Sequence, residues 1–179
     1  AYEAKLRRNP NRMQAQFTSE GMVGDAHVQI TKSVTLEAGS STLEIAYLLE
    51  GLPQDHPLHF AVEFNFAGLP SGADDRFFYG DARQRFGQLG TKLDLHDARE
   101  LGLVDQWLGI DVNLSLSRPS GIWTFPVESV SQSEGGFELV HQSVAVLPHW
   151  MVQGDADGRW SVQMNLAIDT PRAETPAVR

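Results

Sequence analysis

Apolar residues recur at every second position along most of this chain, and that period restricts the folds open to it more than any other feature. A period of two puts alternate side chains on opposite faces of a strand, whereas a helix needs 3.6. Tyr2, Ala4 and Leu6 alternate with polar residues, and Met13, Ala15 and Phe17 alternate with Arg12, Gln14 and Gln16. Asn9-Pro10-Asn11 reads as the turn of a hairpin between them. Val28, Ile30, Val34 and Leu36 continue the pattern, Gly39-Ser40-Ser41 breaks it, and Leu43, Ile45, Tyr47 and Leu49 resume it. The clearest strand is Leu58 to Phe66, with Leu58, Phe60, Val62, Phe64 and Phe66 on one face and His59, Ala61, Glu63 and Asn65 on the other.

Residues 67 to 92 are less regular and read as a long excursion around a short strand at Arg76–Tyr79. Leu93 and Leu95 begin another strand, and Asp97 to Leu103 is expected to hold one helical turn. Leu108 to Leu116 alternates cleanly, Arg118-Pro119-Ser120-Gly121 is expected to turn the chain, and Trp123, Phe125 and Val127 return antiparallel. Pro126 marks an edge or a bulge. Gly135-Gly136 and Asp155-Ala156-Asp157-Gly158 read as further turns, the latter before Trp160, Val162, Met164, Leu166 and Ile168. The polar tail from Thr170 is expected to fray. Many short strands with regular turns predict an all-β fold, a large antiparallel two-sheet sandwich, with residues 1–179 as a single domain.

Composition excludes several roles. A net charge of −9 argues against nucleic acid and anionic membranes as partners. No apolar run approaches the roughly 18 residues of a spanning helix. The chain has no cysteine, which removes disulfides and thiolate metal sites and fits a reducing cytoplasm. It starts without Met and in mid-pattern, and reads as a fragment of something longer.

Chemistry-bearing motifs are sparse. His56-Pro57-Leu58-His59 has an H-x-x-H spacing, but on a strand residues three apart face opposite ways, so no metal site is expected. Asp74-Asp75 lacks a calcium-loop ligand series, and Asp155–Asp157 is better explained as a turn. No G-x-S-x-G elbow, P-loop or dinucleotide fingerprint occurs. Glu63 and Glu128 are carboxylates in strand contexts, but a glycosidase pair needs them about 5 to 10 Å apart and sequence does not show that. Aromatics are the better clue to binding, since flat rings stack on sugars and also fill cores. Trp160 falls in register with Val162 and Met164 and is assigned to the core, whereas Trp123 and Trp150 are expected to be more exposed.

The segment from Pro126 to Gln142, PVESVSQSEGGFELVHQ, resembles part of the C-terminal β-sandwich of glycoside hydrolase family 57, the α-amylase and 4-α-glucanotransferase group. His59 to Phe66 is similar to a core strand of that domain, and Ile30–Leu36 with Leu43–Leu49 fits the same layout. The resemblance runs from about residue 25 to 168. It implies a galactose-mutarotase-like supersandwich. It also implies a partner, the N-terminal (β/α) barrel that carries the family's catalytic residues, which no part of this chain resembles.

The expectation is therefore a non-catalytic accessory domain of an α-glucan-processing enzyme, with no cofactor and no catalytic residue of its own. Carbohydrate-binding candidates are His59, Glu63 and Asn65 on one strand face, with Trp123 and Trp150. The alternatives are a stand-alone starch-binding module, or a mutarotase or epimerase using His59, Glu63, Glu128 and His141 as acid and base.

Overall fold

The computed structural model describes residues 1–133 and 136–170. These form β1 (Glu3–Asn9), β2 (Arg12–Val23), β3 (Ala26–Glu37), β4 (Thr42–Glu50), β5 (Leu58–Ala61), β6 (Phe64–Ala67), β7 (Arg76–Tyr79), β8 (Arg85–Gln88), β9 (Leu93–Asp105), β10 (Ile110–Ser133), β11 (Gly136–Val152) and β12 (Arg159–Asp169). A 3₁₀ turn at Asp81–Arg83 joins β7 to β8. No helix among the described residues is long and apolar enough to cross a membrane. The tail expected to fray lies, from residue 171 on, outside the described residues, as does Gly135 of the expected glycine turn.

The chain groups into two compact units. The first holds Ala1–Phe60, Leu114–Arg118 and Trp150–Ile168. Its strands run in the order β1-β2-β3-β4-β12, followed by the middle of β10. The ladders are antiparallel and keep one register: Leu6 faces Ala15, Ala15 faces Val34, Val34 faces Ile45, and Ile45 faces Met164. Partners across an antiparallel pair share a face, so this apolar row is continuous. Ile45 and Met164 are buried. The turns use local chemistry. Asn9 Oδ1 accepts the Asn11 N–H, Gly39 takes φ +76°, and Asp155 Oδ1 accepts from both Asp157 and Arg159. Asp155–Gly158 is thus a hairpin turn, as its sequence implies.

The second unit holds Ala61–Asn113 and Pro119–His149 among the described residues. β9 pairs with β7 and β7 with β8, while β11 pairs with β10 and β6. Phe78, Leu101, Ile122, Val144 and Val146 are fully buried there. Gly102 faces Tyr79, whose ring lies where a Cβ at Gly102 would stand, so only glycine fits. Buried Asp111 accepts hydrogen bonds from the Tyr79 hydroxyl and from Arg83, both at 2.6 Å, and the Arg83 guanidinium lies 4.3 Å from the Tyr79 ring centroid.

Four sequence expectations need correction. Leu58–Phe66 is two strands, broken at Val62-Glu63. Val62 donates to the Pro148 carbonyl at 3.0 Å, but proline has no N–H to return, and the ladder lapses there. Asp97–Leu103 is strand, not a helical turn. Asp97 takes φ +53°, which shifts the phase of β9, and from Leu101 to Asp105 both faces are buried, which erases the alternation. Arg118–Gly121 does not turn: β10 runs straight through Pro119 and pairs with β11 from Gly121 onward. Leu108 is outside β10, in a turn where its N–H meets Asp105 Oδ1, and the strand begins at Ile110. Beside Pro126 the register does shift, between Val127 and Glu128, as a bulge requires.

Phe78 is wholly enclosed, so Phe78→Ala should cost about 3–5 kcal/mol in urea unfolding. The half-buried Phe64 should lose less when truncated, and equal losses would show that the core of this unit is misplaced.

Candidate functional site

The face of the first unit opposite the apolar row is polar. Gln16 faces Ser33, Ser33 faces Ala46, and Ala46 faces Gln163, whose N–H meets Ser117 Oγ of β10 at 2.9 Å. A parallel row joins Thr18, Thr31, Leu48 and Ser161. Arg7 stands at one margin, facing Gln14, and Arg118 at the other. All of these but Thr18 line a groove of about 750 Å³. From β1 to β10 it crosses five strand spacings, roughly 24 Å at about 4.8 Å each. Small residues at Ser33, Ala46 and Ser161 leave the floor low, and glutamines rise between them.

Among the described residues no carboxylate lines this groove, although the whole chain carries −9. Among the described residues, Arg7 and Arg118 form no ion pair, and the side chains of Gln16, Ser33, Ser161 and Gln163 form no hydrogen bond. Amides and hydroxyls both donate and accept, so such a floor suits a neutral ligand rich in hydroxyls. A second groove of about 440 Å³ shares Leu48, Arg118 and Ser161 with the first and adds Gln153, Asp155, Arg159 and Trp160. Arg118 lies 5.7 Å from the centroid of the Trp160 ring.

One tryptophan assignment needs correction. Trp150 is only 7% exposed, stacked on Phe60 at 6.1 Å and tilted against Trp160 at 5.5 Å. It is a core residue, because even positions at this end of β11 point with Val152 into the first unit. Trp160, assigned to the core by its period, packs its ring on Phe60 and Trp150 and is half-buried, because it lies beside the second groove. Trp123 is 37% exposed as expected, but its indole N–H bonds Asp94 at 3.0 Å and its ring lies 3.9 Å from that of His149.

The other candidates are divided between the two units. His59, on β5, is exposed and belongs to the first unit. Glu63 and Asn65 belong to the second, both exposed, with the Asn65 amide donating to Glu63 Oε1 and its oxygen accepting from Ser143 at 3.3 Å. Glu128 and His141 are cross-strand partners, but His141 Nε2 is engaged with the Leu69 carbonyl at 2.9 Å. His56 is bonded to Asp55, while Asp74 and Asp75 are engaged by Gln88 and Arg76. Among the described residues, no three His, Asp or Glu side chains converge as metal ligands. The groove residues escaped sequence reading because their meaning lies in register across six strands, not in any local motif. The one signal of them in the sequence is the uncharged polar set Gln14, Gln16, Ser33, Ser161 and Gln163 opposite apolar positions.

Comparison with known proteins fits this architecture. Residues 1–164 match the model of the C-terminal domain of alpha-amylase/4-alpha-glucanotransferase. The chain belongs to that family. Alpha-amylase 1 of Dictyoglomus thermophilum is 23% identical over 168 residues, which cover 89% of this chain and 22% of the amylase. The crystal structure of 4-alpha-glucanotransferase from Thermococcus litoralis superposes with a TM-score of 0.59 at 16% identity, over 92% of this chain and 22% of that one. A galactose mutarotase-like protein from Clostridium acetobutylicum gives 0.55 at 10% identity, over 94% of this chain and 66% of its own. The fold is therefore the all-β antiparallel sandwich of the galactose-mutarotase-like kind. The chain spans about a fifth of the length of its amylase and glucanotransferase relatives.

Two tyrosines of this domain carry a pH signature. Burial pushes the Tyr47 phenol up to about 12, and burial, then the Asp111 hydrogen bond, does the same for Tyr79. Both shifts start from an ordinary value of 10.0, so between pH 10 and about 12 the unfolded chain releases protons that the folded chain keeps. Their contribution to stability is complete below pH 10 and should be lost as pH rises toward 12. Ultraviolet titration of phenolate should show two late-ionising tyrosines, and melting temperature should fall over the same window. Tyr79→Phe should remove part of that fall.

Proposed function

We propose that this chain is the accessory C-terminal domain of an α-glucan-processing enzyme of glycoside hydrolase family 57. In this reading it packs on the catalytic barrel of the same polypeptide and helps to shape the substrate cleft. Coverage is the observation that carries the reading. The family model takes in residues 1–164, yet the chain amounts to only 22% of the amylase and of the glucanotransferase. A cysteine-free chain also fits a cytoplasmic enzyme. Residues 1–179 would act as one domain, because β10 supplies residues to both units and neither unit is a continuous stretch of chain.

An uncovered apolar surface supports the packing role. The apolar face of the first unit is buried at Ile45 and Met164 but bare toward β1, where Leu6 is 66% and Met13 48% exposed. Met13 faces Leu36, itself 44% exposed, and the Tyr2 ring meets Phe17 edge-on beside them. A contiguous apolar area at the edge of a water-exposed sheet marks a contact surface. The catalytic region of the parent polypeptide is the partner this reading assigns to it.

Removing this domain from the parent enzyme should lower both its melting temperature and its activity on amylose. Leu6→Asp with Met13→Asp should leave the isolated chain folded, since both sites are exposed, and should weaken the parent in the same direction as the deletion. A catalytic region with unchanged melting temperature and amylose turnover after the deletion would sink the proposal.

A further inference from the structure

We infer that the polar groove of the first unit is an α-glucan binding site, in which a maltooligosaccharide lies across β1, β2, β3, β4, β12 and β10. The inference deepens the reading of the chain as part of an α-glucan enzyme, and rests on it for the identity of the sugar. The site differs from the His59, Glu63 and Asn65 row.

Three observations converge on a neutral, hydroxyl-rich chain. Among the described residues, the polar side chains of the lining are amides, hydroxyls and two arginines without a single carboxylate, so every polar group present can donate to a sugar oxygen, and most can also accept. Gln16, Ser33, Ser161 and Gln163 spend none of this capacity on one another or on other described residues. Elsewhere on the same face, neighbours do pair: Gln14 donates to Thr35 at 3.2 Å, and Thr18 and Thr31 lie 3.4 Å apart. The unspent groups therefore cluster along the middle of the groove.

Shape is the second argument. A volume of about 750 Å³ falls in the range of ligand sites, roughly 300–1,000 Å³. The groove is elongated, because it crosses six strands, and it continues past Leu48 and Ser161 into the second groove. An extended oligosaccharide uses such a trough; a monosaccharide would fill only part of it. The small residues at 33, 46 and 161 keep the trough open, and a large side chain at any of them would divide it.

The third argument is the end of the trough. Trp160 lines the second groove there, but its ring packs on Phe60 and Trp150, so the group this end offers is the Arg118 guanidinium, 5.7 Å from the centroid of that ring. A guanidinium donates to sugar hydroxyls. Arg118 lines both grooves and would contact two neighbouring sugar units. A polyanion is the competing occupant, since Arg7 and Arg118 are the only charges in the first groove among the described residues. Only two cations over about 24 Å are too few for a polyanion held by charge, and the chain's net −9 opposes its approach.

The test is calorimetric titration of maltoheptaose into the 179-residue chain, with dextran sulfate as the anionic arm. Saturable binding of maltoheptaose is expected, largely insensitive to salt. Gln16→Ala with Gln163→Ala should weaken it by about tenfold or more, as two lost hydrogen-bonding amides imply, with the melting temperature unchanged. Arg118→Ala provides a second variant on a different strand should the double one fail to fold, and should also weaken binding. Glu63→Ala should leave affinity unchanged. Absent binding, binding of dextran sulfate alone, or affinity that follows Glu63 rather than the groove variants would each overturn the assignment. The parent enzyme's activity on amylose is read separately. A parent active on amylose whose domain does not bind removes the groove alone. A domain that binds, joined to a parent inert on α-glucan, removes the proposed function and leaves the groove.

Discussion

Everything in the first unit depends on one constraint, the unbroken antiparallel register from β1 through β12. Leu6, Ala15, Val34, Ile45 and Met164 fall in one row, and the residues one place along each strand form the polar groove. Side chains alternate with a period of two, so a one-residue slip in any of these ladders would exchange the faces. The slipped strand would carry glutamine and serine into the core beside Met164 and leave leucine in the groove. The cost of burying unpaired amides is what holds the groove in place. No residue of the groove needs to stabilise the fold for the groove to persist.

The second unit is held by a different kind of interaction. Asp111 and Asp105 are both about 1% exposed, and each is matched to an arginine: Asp111 to Arg83, Asp105 to Arg76 at 2.9 Å. A buried carboxylate without a partner would cost several kcal/mol, so each arginine is obligatory once its aspartate is enclosed. Arg83 reaches Asp111 from a left-handed backbone, φ +59°, next to Ala82 at φ +52°. Such positions are unfavourable for residues with a Cβ, by about 1–3 kcal/mol each, and persist where the surroundings demand them. Here the demand is visible. Arg83 must cover the Tyr79 ring and meet the Asp111 carboxylate at once. The long β9 and β10 strands supply the floor on which the irregular segment from Asp81 to Gln88 is fixed.

The period-two pattern made the strands legible wherever one face is wet and one is dry. It located the β1–β2 and β3–β4 hairpins, and local turn residues located the Asp155 turn. It failed where burial became two-sided, as at Leu101–Asp105, and where a single proline acted through its neighbour, as Pro148 does on Val62. Pro119 misled in the opposite sense: an Arg-Pro-Ser-Gly string reads as a turn, yet an extended backbone accommodates it inside a 24-residue strand. The tryptophans show the limit most sharply. Trp150 and Trp160 differ in exposure because of what packs on them from other strands, and no pattern within their own strands carries that information. The candidate groove was out of reach for the same reason, being built from single residues on six strands.

The two surfaces assigned functional roles lie on opposite faces of the same strands. In β1, Leu6 belongs to the bare apolar face and Arg7 to the groove; in β2, Met13 and Gln14 divide in the same way. A partner packed on Leu6 and Met13 would therefore leave Arg7 and Gln14 free, and the two contacts can coexist. They are also mechanically linked. β1 is an edge strand, joined to the rest of its sheet only through β2, and an edge strand with an exposed apolar face is the element most prone to fray or to pair wrongly. Covering that face would hold β1 in register and with it Arg7, the outer margin of the groove. In the reading proposed here, docking of the domain on the catalytic region thus does more than attach it. It completes one end of the surface on which the glucan would lie, and affinity for a long chain should depend on that margin more than affinity for a short one.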